Sequence, residues 1–409
     1  MRPVLAIGLA FLIGGALASP SAAATAPKPE ISARSAIVVD ARDGSVLYSK
    51  KPHSRRPIAS TTKLMTALIS FQQLPLKRRL TASPYRAGPA ESRINLRAGE
   101  RLAVRDLLLA LLLPSANDAA ATLARGVSGS VGAFVARMNE RAERLDLRDT
   151  HYANPIGLDD PDNYSSAQDL STIARTLLRN KTFAEIVNLP SARLRTGARP
   201  RIVVNRNRLV ANVPWINGVK TGHTQSAGYV LVGSGTRKGV QLVSAVLGAP
   251  SEAQRDADTL ALLRYGFSRY HVARPVRRGA EVAKAKVKFY GGREVALVAH
   301  RNVRVPLRRG ERVRTRVTAP EELEGPLPEG TRAGSVSVIE EGRRVRRLPL
   351  FTESAVPEAG FLRKLSHSLL FWVLVVGLAA LAALAVRRRS VSRRRRERKG
   401  GNRPRRVVT

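Results

Sequence analysis

The sequence predicts an α+β body in which helices flank a mainly antiparallel sheet, then a small all-β domain and one carboxy-terminal apolar helix. Three observations carry that expectation. Between residues 35 and 267, apolar and β-branched runs stand at the two ends and helix-spaced runs fill the middle. Beyond Tyr270 the chain breaks into short alternating segments separated by glycine, proline and charge. From Leu369 to Val386 there is neither charge nor proline. At 409 residues the chain is long enough for two or three domains, each with a sizeable core.

Taken in order, Ser35 to Asp40 and Ser45 to Ser49 read as a β-hairpin around Arg42-Asp43-Gly44. Pro57 to Met65 then heads a helix, because Leu64, Met65, Leu68 and Ile69 recur at helical spacing. A polar stretch bearing glycine and proline runs from Ala82 to Glu100. The segment from Val104 is apolar nearly all round, which predicts a buried helix. Pro114 interrupts it, Ser115-Ala116-Asn117-Asp118 reads as a turn, and a helix is expected from Ala119 with Asn117 or Asp118 as its cap. Phe134 to Leu145 and Ser166 to Leu178 are helical patterns, with Asn154-Pro155-Ile156-Gly157-Leu158 a loop between them. Tyr229 to Val232 and Val240 to Leu247 read as adjacent strands, and Ser251 to Phe267 as a closing amphipathic helix. In the last third, Val282 to Tyr290, Val295 to Val298, Val303 to Leu307, Val313 to Val317 and Val336 to Ile339 are short strand patterns. Pro357 to Lys364 then links to the apolar run, and there is no internal repeat.

The two ends point to export. Met1-Arg2, an apolar run from Val4 to Ala18 and the small residues up to Ala24 have the order of a cleaved secretory signal. The apolar run at 369–386 is long enough to span a bilayer, and the arginines from Arg387 onward favour the cytoplasmic side. That basic tail holds twelve Lys or Arg against one Glu, leaving +28 of the net +39 on the rest of the chain. For an exported body this charge suits anionic wall polymers or lipid head groups rather than nucleic acid. The absence of cysteine excludes a disulfide scaffold, a thiol nucleophile and cysteine-ligated zinc. The six histidines show no paired ligand spacing, so no metal is expected.

The chemistry rests on Ser60-Thr61-Thr62-Lys63. A helix places Lys63 one turn beyond Ser60 on the same face. There an amine kept neutral by burial or a neighbouring cation can take the hydroxyl proton. Two further motifs follow in order, Ser115-Ala116-Asn117 and Lys220-Thr221-Gly222. Each is short enough to arise by chance. Together, on compatible elements, they are the signature set of penicillin-recognising serine enzymes.

On these residues the chain resembles the low-molecular-weight penicillin-binding proteins, specifically the D-alanyl-D-alanine carboxypeptidases, from about Ser35 to Phe267. The third motif extends to Lys220-Thr221-Gly222-His223-Thr224, the form that family uses, and Asn154-Pro155-x-Gly157-Leu158 and Asn205-x-Asn207-x-Leu209 are similar to family segments. The resemblance implies a β-lactamase/transpeptidase-like fold, no cofactor, stem peptides ending in D-Ala-D-Ala as substrate and β-lactams as inhibitors. It implies that Ser60 is the nucleophile, Lys63 the base and Ser115 the relay to the leaving amine. Asn117 would hydrogen-bond the substrate backbone and restrain Lys63, and Lys220 would supply positive field. Gly222 would let the substrate strand lie close, and the N–H groups of Ser60 and His223 would form the oxyanion hole. Thr221, Thr224 and Arg255 would bind the terminal carboxylate. A dyad of His223 with Asp118 is rejected, because Lys63 already fills the base position.

The expected division is a signal peptide over 1–24, a penicillin-binding D,D-carboxypeptidase domain over 32–268, an all-β domain over 271–352 and a linker over 353–364. A transmembrane helix over 365–386 and a basic cytoplasmic tail over 387–409, facing anionic lipid, complete it. A class A β-lactamase shares the three motifs but needs a glutamate-held water from Glu-x-x-x-Asn between motifs two and three. No glutamate there has asparagine four residues on. The remaining alternatives are a D,D-endopeptidase of identical chemistry and a non-catalytic wall-binding protein.

Overall fold

A computed structural model describes residues 26–88, 91–340 and 343–400. The expected signal peptide and the end of the basic tail lie outside them. The chain divides into two units, one running to Val272 with Pro306–Gly310, the other formed by Ala273–Val305 and the chain from Glu311 on.

The first unit opens with the expected hairpin, β1 (Ser35–Asp40) and β2 (Val46–Lys50). A 3-10 turn over Ala59–Thr62 carries the nucleophile motif into α1 (Lys63–Gln73). Then come α2 (Val104–Leu112), α3 (Asn117–Ser128), α4 (Val131–Arg144) and α5 (Ala167–Leu178). Ser130 and Ser166 cap α4 and α5 by accepting backbone N–H groups of Ala133 and Asp169. A short helix, α6 (Lys181–Val187), and a hairpin of β3 (Ser191–Leu194) and β4 (Arg201–Val204) were not expected. β5 (Ile216–Thr224), β6 (Gly228–Arg237), β7 (Val240–Ala249) and α7 (Glu252–Ser268) close the unit.

The main sheet has the order β2-β1-β7-β6-β5 and all of its pairings are antiparallel. The first strand therefore lies beside the last, so the sheet forms only when both ends of the unit meet. α7 packs on it through Leu262 and Leu263, and α5 packs on β1 and β7. On the helical side, α1 is buried from Lys63 to Ser70 and packs against α2, α3 and α5. Leu64, Met65, Leu68 and Ile69, each at most 4% exposed, join one continuous core with Phe134 and the leucines of α2. Each such side chain contributes about 1.5–3 kcal/mol by leaving water.

One boundary differs from expectation. α3 begins at Asn117 rather than Ala119, Ala116 occupies the cap position, and no side chain caps it. The reason is that both expected caps are engaged elsewhere: Asn117 holds Glu91, and Asp118 accepts the N–H groups of Ile94 and Leu96.

Beyond α7 the described strands are one over Tyr270–Val276, then β8 (Glu281–Val287), β9 (Glu294–Ala299), β10 (Val303–Arg308), β11 (Val313–Thr318), β12 (Glu322–Leu323), β13 (Arg332–Glu340) and β14 (Arg343–Thr352). Six of them form one sheet in the order β11-β13-β14-β9-β8-β12. The unexpected β14 reads Arg-Arg-Val-Arg-Arg-Leu-Pro-Leu-Phe-Thr, and its arginines hid its strand pattern; all five of its first residues are exposed. Beyond it α8 (Leu369–Gly400) runs through the apolar stretch. Its window Phe371–Arg389 has a mean hydropathy of 1.9 and is long and apolar enough to cross a membrane.

Phe134 is fully buried on α4. Phe134→Ala is expected to lower unfolding stability by about 3–5 kcal/mol in urea titrations, through lost burial and an unfilled cavity.

Candidate active site

The nucleophile turn is held in an unusual backbone shape. Ala59, the residue before Ser60, has φ +46°, in the left-handed region that a side chain disfavours. Two glycines make room for this turn. Gly157 has φ +83°, and a Cβ there would stand 2.0 Å from the Ala59 carbonyl oxygen. A Cβ at Gly222 would come within 3.1 Å of Ala59, Ile58 and Ser60 atoms. Gly222 therefore admits the serine turn against β5.

Lys63 is fully buried, and its Nζ lies 2.9 Å from Ser60 Oγ and 2.5 Å from the Ile156 carbonyl oxygen. That carbonyl is delivered by the Asn154–Leu158 loop. Asn154 Oδ1 accepts the N–H groups of Ile156, Gly157 and Leu158 at 3.2, 2.7 and 3.2 Å, while the Pro155 carbonyl takes the Thr66 hydroxyl at 2.7 Å. Burial holds the Lys63 amine well below the ordinary lysine range, and the cations Lys220 and Arg206 push it further down against the opposing pull of Glu91. An amine without its proton can accept one from Ser60.

Ser115 sits in the left-handed region at φ +69°. Its Oγ is buried with no hydrogen-bond partner among the described residues. Asn117 donates from Nδ2 to Glu91 Oε2 at 2.7 Å, leaving its own Oδ1 buried and without a partner among the described residues. Two unsatisfied polar groups two residues apart, a hydroxyl and an amide oxygen, are costly unless a ligand completes them.

Lys220 is buried on β5, its Nζ donating to the Thr221 carbonyl at 2.9 Å. Burial first, then Arg206 and Arg255, bring its amine down to about 7. The start of β5 is tied by Asn207, whose Nδ2 donates to the Gly218 carbonyl at 3.0 Å. Asn205 anchors the same segment to the Val187 and Leu189 carbonyls.

A cavity of about 760 Å³ opens beside these groups, walled by Ser60, Ser115, Thr221, Gly222, His223 and Arg255. The structure thus brings both serines and three residues of the third motif to one space, with Lys63 and Lys220 buried behind. Arg255 is only 3% exposed and is held by Glu252 and Asp256, so it is a fixed part of the wall rather than a solvated helix residue. Thr224 is not in that wall: its hydroxyl donates to Asp159 at 2.6 Å. The His223 ring stacks on Tyr229 with centroids 4.1 Å apart, and Asp118 is bonded to the 94–96 loop. Neither is arranged as a Ser-His dyad.

Glu91, Tyr85, Arg206 and Asp159 are contributors that the sequence reading missed. Arg206 follows the flagged Asn205, so its place beside a family-like segment was the available signal. Glu91 lies in a polar loop with no pattern to single it out.

A serine beside a buried lysine amine, opening on a cavity, on a sheet-and-helix body of this kind, is the equipment of an active-serine acyl-transfer enzyme. Residues 22–251 match the family described as D-alanyl-D-alanine carboxypeptidase, and residues 270–358 match the C-terminal domain of penicillin-binding protein 5. The D-alanyl-D-alanine carboxypeptidase DacA of Escherichia coli K12 is 30% identical over 354 residues, 82% of this chain and 87% of its own. DacF of Bacillus subtilis is 29% identical over 349 residues, 83% and 90% of the two chains. The Streptomyces K15 DD-transpeptidase superposes with a TM-score of 0.57 at 33% identity, covering 59% of this chain and 100% of its own. Penicillin binding protein 5 from Haemophilus influenzae gives 0.57 at 27% identity, covering 81% and 100%. The chain belongs to the D-alanyl-D-alanine carboxypeptidase family.

Gly157→Ala adds a side chain in the left-handed region against the Ala59 carbonyl. Thermal melts are expected to show a loss of about 1–3 kcal/mol, with β-lactam acylation of Ser60 slowed more than tenfold as roughly the least effect.

Proposed function

We propose that this chain is a membrane-tethered serine D-alanyl-D-alanine carboxypeptidase that trims peptidoglycan stem peptides and is blocked covalently by β-lactams. The observation that carries the reading is the 2.9 Å contact between Ser60 Oγ and the buried, proton-poor amine of Lys63. Family membership and the cavity shared by Ser60, Ser115 and Thr221 support it.

In the proposed sequence, Ser60 Oγ attacks the carbonyl of the penultimate D-alanine while Lys63 takes its proton. Negative charge develops on the former carbonyl oxygen and is met by the backbone N–H groups of Ser60 and His223. The tetrahedral adduct collapses, the peptide C–N bond breaks, and the proton passes through Ser115 to the departing amine of D-alanine. Water then attacks the Ser60 ester with Lys63 again as base, releasing the shortened peptide and restoring the hydroxyl. Thr221 and Arg255 hold the substrate carboxylate in the field of Lys220, and Asn117 meets the peptide backbone. Thr224 is assigned to the Asp159 contact instead of the carboxylate.

The proposal extends to organisation. The signal over 1–24 directs export, residues 32–268 do the chemistry, and the all-β domain over 271–352 is a spacer. The 353–364 linker leads to an anchor over 365–386, with a cytoplasmic tail over 387–409 against anionic lipid. The apolar, unburied Phe371–Arg389 window supports the anchor.

Incubating the full chain in detergent with fluorescent penicillin is expected to give a long-lived adduct on Ser60, located by mass spectrometry and missing from Ser60→Ala. No adduct on folded wild-type protein would sink the assignment. The acid limb of acylation follows Lys63, which must lose its proton to act as base. Arg206→Gln removes a cation that disfavours the protonated amine, so Lys63 keeps its proton to higher pH and the acid limb moves upward. A pH–rate profile checks that direction.

A further inference from the structure

One carboxylate beside the site has no part in this scheme. Glu91 is half-buried in the loop before α2. Its Oε2 accepts Asn117 Nδ2 at 2.7 Å and also the Tyr85 hydroxyl, while Oε1 accepts the Gly88 N–H at 2.8 Å. The next residue, Ser92, accepts the Asn117 backbone N–H at 2.7 Å, so Asn117 is gripped by this loop through both main chain and side chain. We propose that Glu91 is a positioning residue that sets the orientation of the Asn117 amide and supplies the negative charge offsetting the cations around Lys63. This rests on the Ser60–Lys63 reading given above.

The orientation follows from hydrogen-bond chemistry. An ionised carboxylate can only accept, so the end of Asn117 that faces it is the NH2 group. The carbonyl end then points away, and Oδ1 is indeed buried with no partner among the described residues, ready for a donor on the substrate. Tyr85 and Gly88 fix the carboxylate itself. Burial pushes the Glu91 carboxyl up, but the bonds from Tyr85, Asn117 and Gly88 and the Lys63 charge outweigh it, so it stays ionised. Around Lys63, Lys220 and Arg206 oppose the proton and Glu91 favours it. Around Glu91 itself stand Lys63, Tyr85 and, beyond Tyr85, Asp118. Ser92 and Arg93 reach the cavity wall but Glu91 does not, so Glu91 acts through Asn117 and Lys63 rather than on substrate or water.

Two substitutions separate the two roles. Glu91→Gln keeps the length and an acceptor oxygen but removes the charge, and Glu91→Asp keeps the charge but shortens the reach. The full chain in detergent is acylated with benzylpenicillin across the pH range, with thermal melts establishing folding. For Glu91→Gln the acid limb is expected to move about one unit to lower pH, because Lys63 without its counter-charge sheds its proton sooner. For Glu91→Asp the acid limb stays in place while the plateau rate drops about tenfold, as Asn117 loses its hold. Tyr85→Phe, at a partly exposed position, keeps the charge and loosens Glu91, and is expected to lower the plateau about threefold. An unmoved acid limb in folded Glu91→Gln overturns the charge role, and wild-type plateaus in Glu91→Asp and Tyr85→Phe overturn the orienting role. Wild-type protein that is not acylated at all fails the Ser60–Lys63 reading itself, and this inference falls with it.

Discussion

A lysine amine buried in the protein interior, where its protonated form is disfavoured, is the constraint on which this body depends. Among the described residues Lys63 has no carboxylate in hydrogen-bonding contact; its partners there are a serine hydroxyl and a backbone carbonyl. A buried ammonium would normally be paired or expelled. Here burial first, and the neighbouring cations after it, disfavour the charged form, so the surroundings that would repel a charged lysine prepare a base. The arrangement works only if α1 is packed on every side, and that is how the helix is built.

Much of the remaining structure brings chain from far away to that amine. The carbonyl on Nζ comes from a loop 93 residues later in sequence, folded around the Asn154 side chain. The cation that tunes it comes from β5, itself tied down through Asn205 and Asn207. Glycines at 157 and 222 stand where any side chain would strike the turn that carries Ser60. Left-handed residues at Ala59 and Ser115 are expensive, about 1–3 kcal/mol each; Ser115 lines the cavity and Ala59 directly precedes Ser60, which also lines it. Two of the seven left-handed non-glycine residues among those described thus stand in or next to the first two motifs.

The sequence showed the skeleton of this arrangement clearly and its adjustments poorly. Periodicity located α1, α2, α5, α7 and the opening hairpin, because each has one apolar face or is apolar throughout. The three motifs pointed to Ser60, Lys63, Ser115 and Lys220, which the fold gathers about one cavity. What was not legible was work done by polar loops. Glu91 and Tyr85 are ordinary residues in an unpatterned stretch, and Asp159 reaches Thr224 across 65 positions. Asn117 and Asp118 looked like helix caps because that is the commonest use of such residues. Only the fold reveals that both face back to the preceding loop. β14 was hidden because exposed arginines replaced the alternation that marks a strand.

Two buried lysines also bear on when the molecule is sturdy. Lys220 binds its proton at about 7 in the fold and near 10.5 when unfolded, and Lys63 shifts in the same direction. Between those values the unfolded chain holds more protons than the native one, so stability climbs as pH rises through that window. At neutral pH the working site therefore weakens the fold that houses it, a trade of robustness for reactivity. An anionic ligand seated beside Lys220, as proposed above, would bind the native state alone and return part of that loss. On the proposed carboxylate site beside Lys220, the protein would be least secure when idle, and occupancy would help to keep it folded.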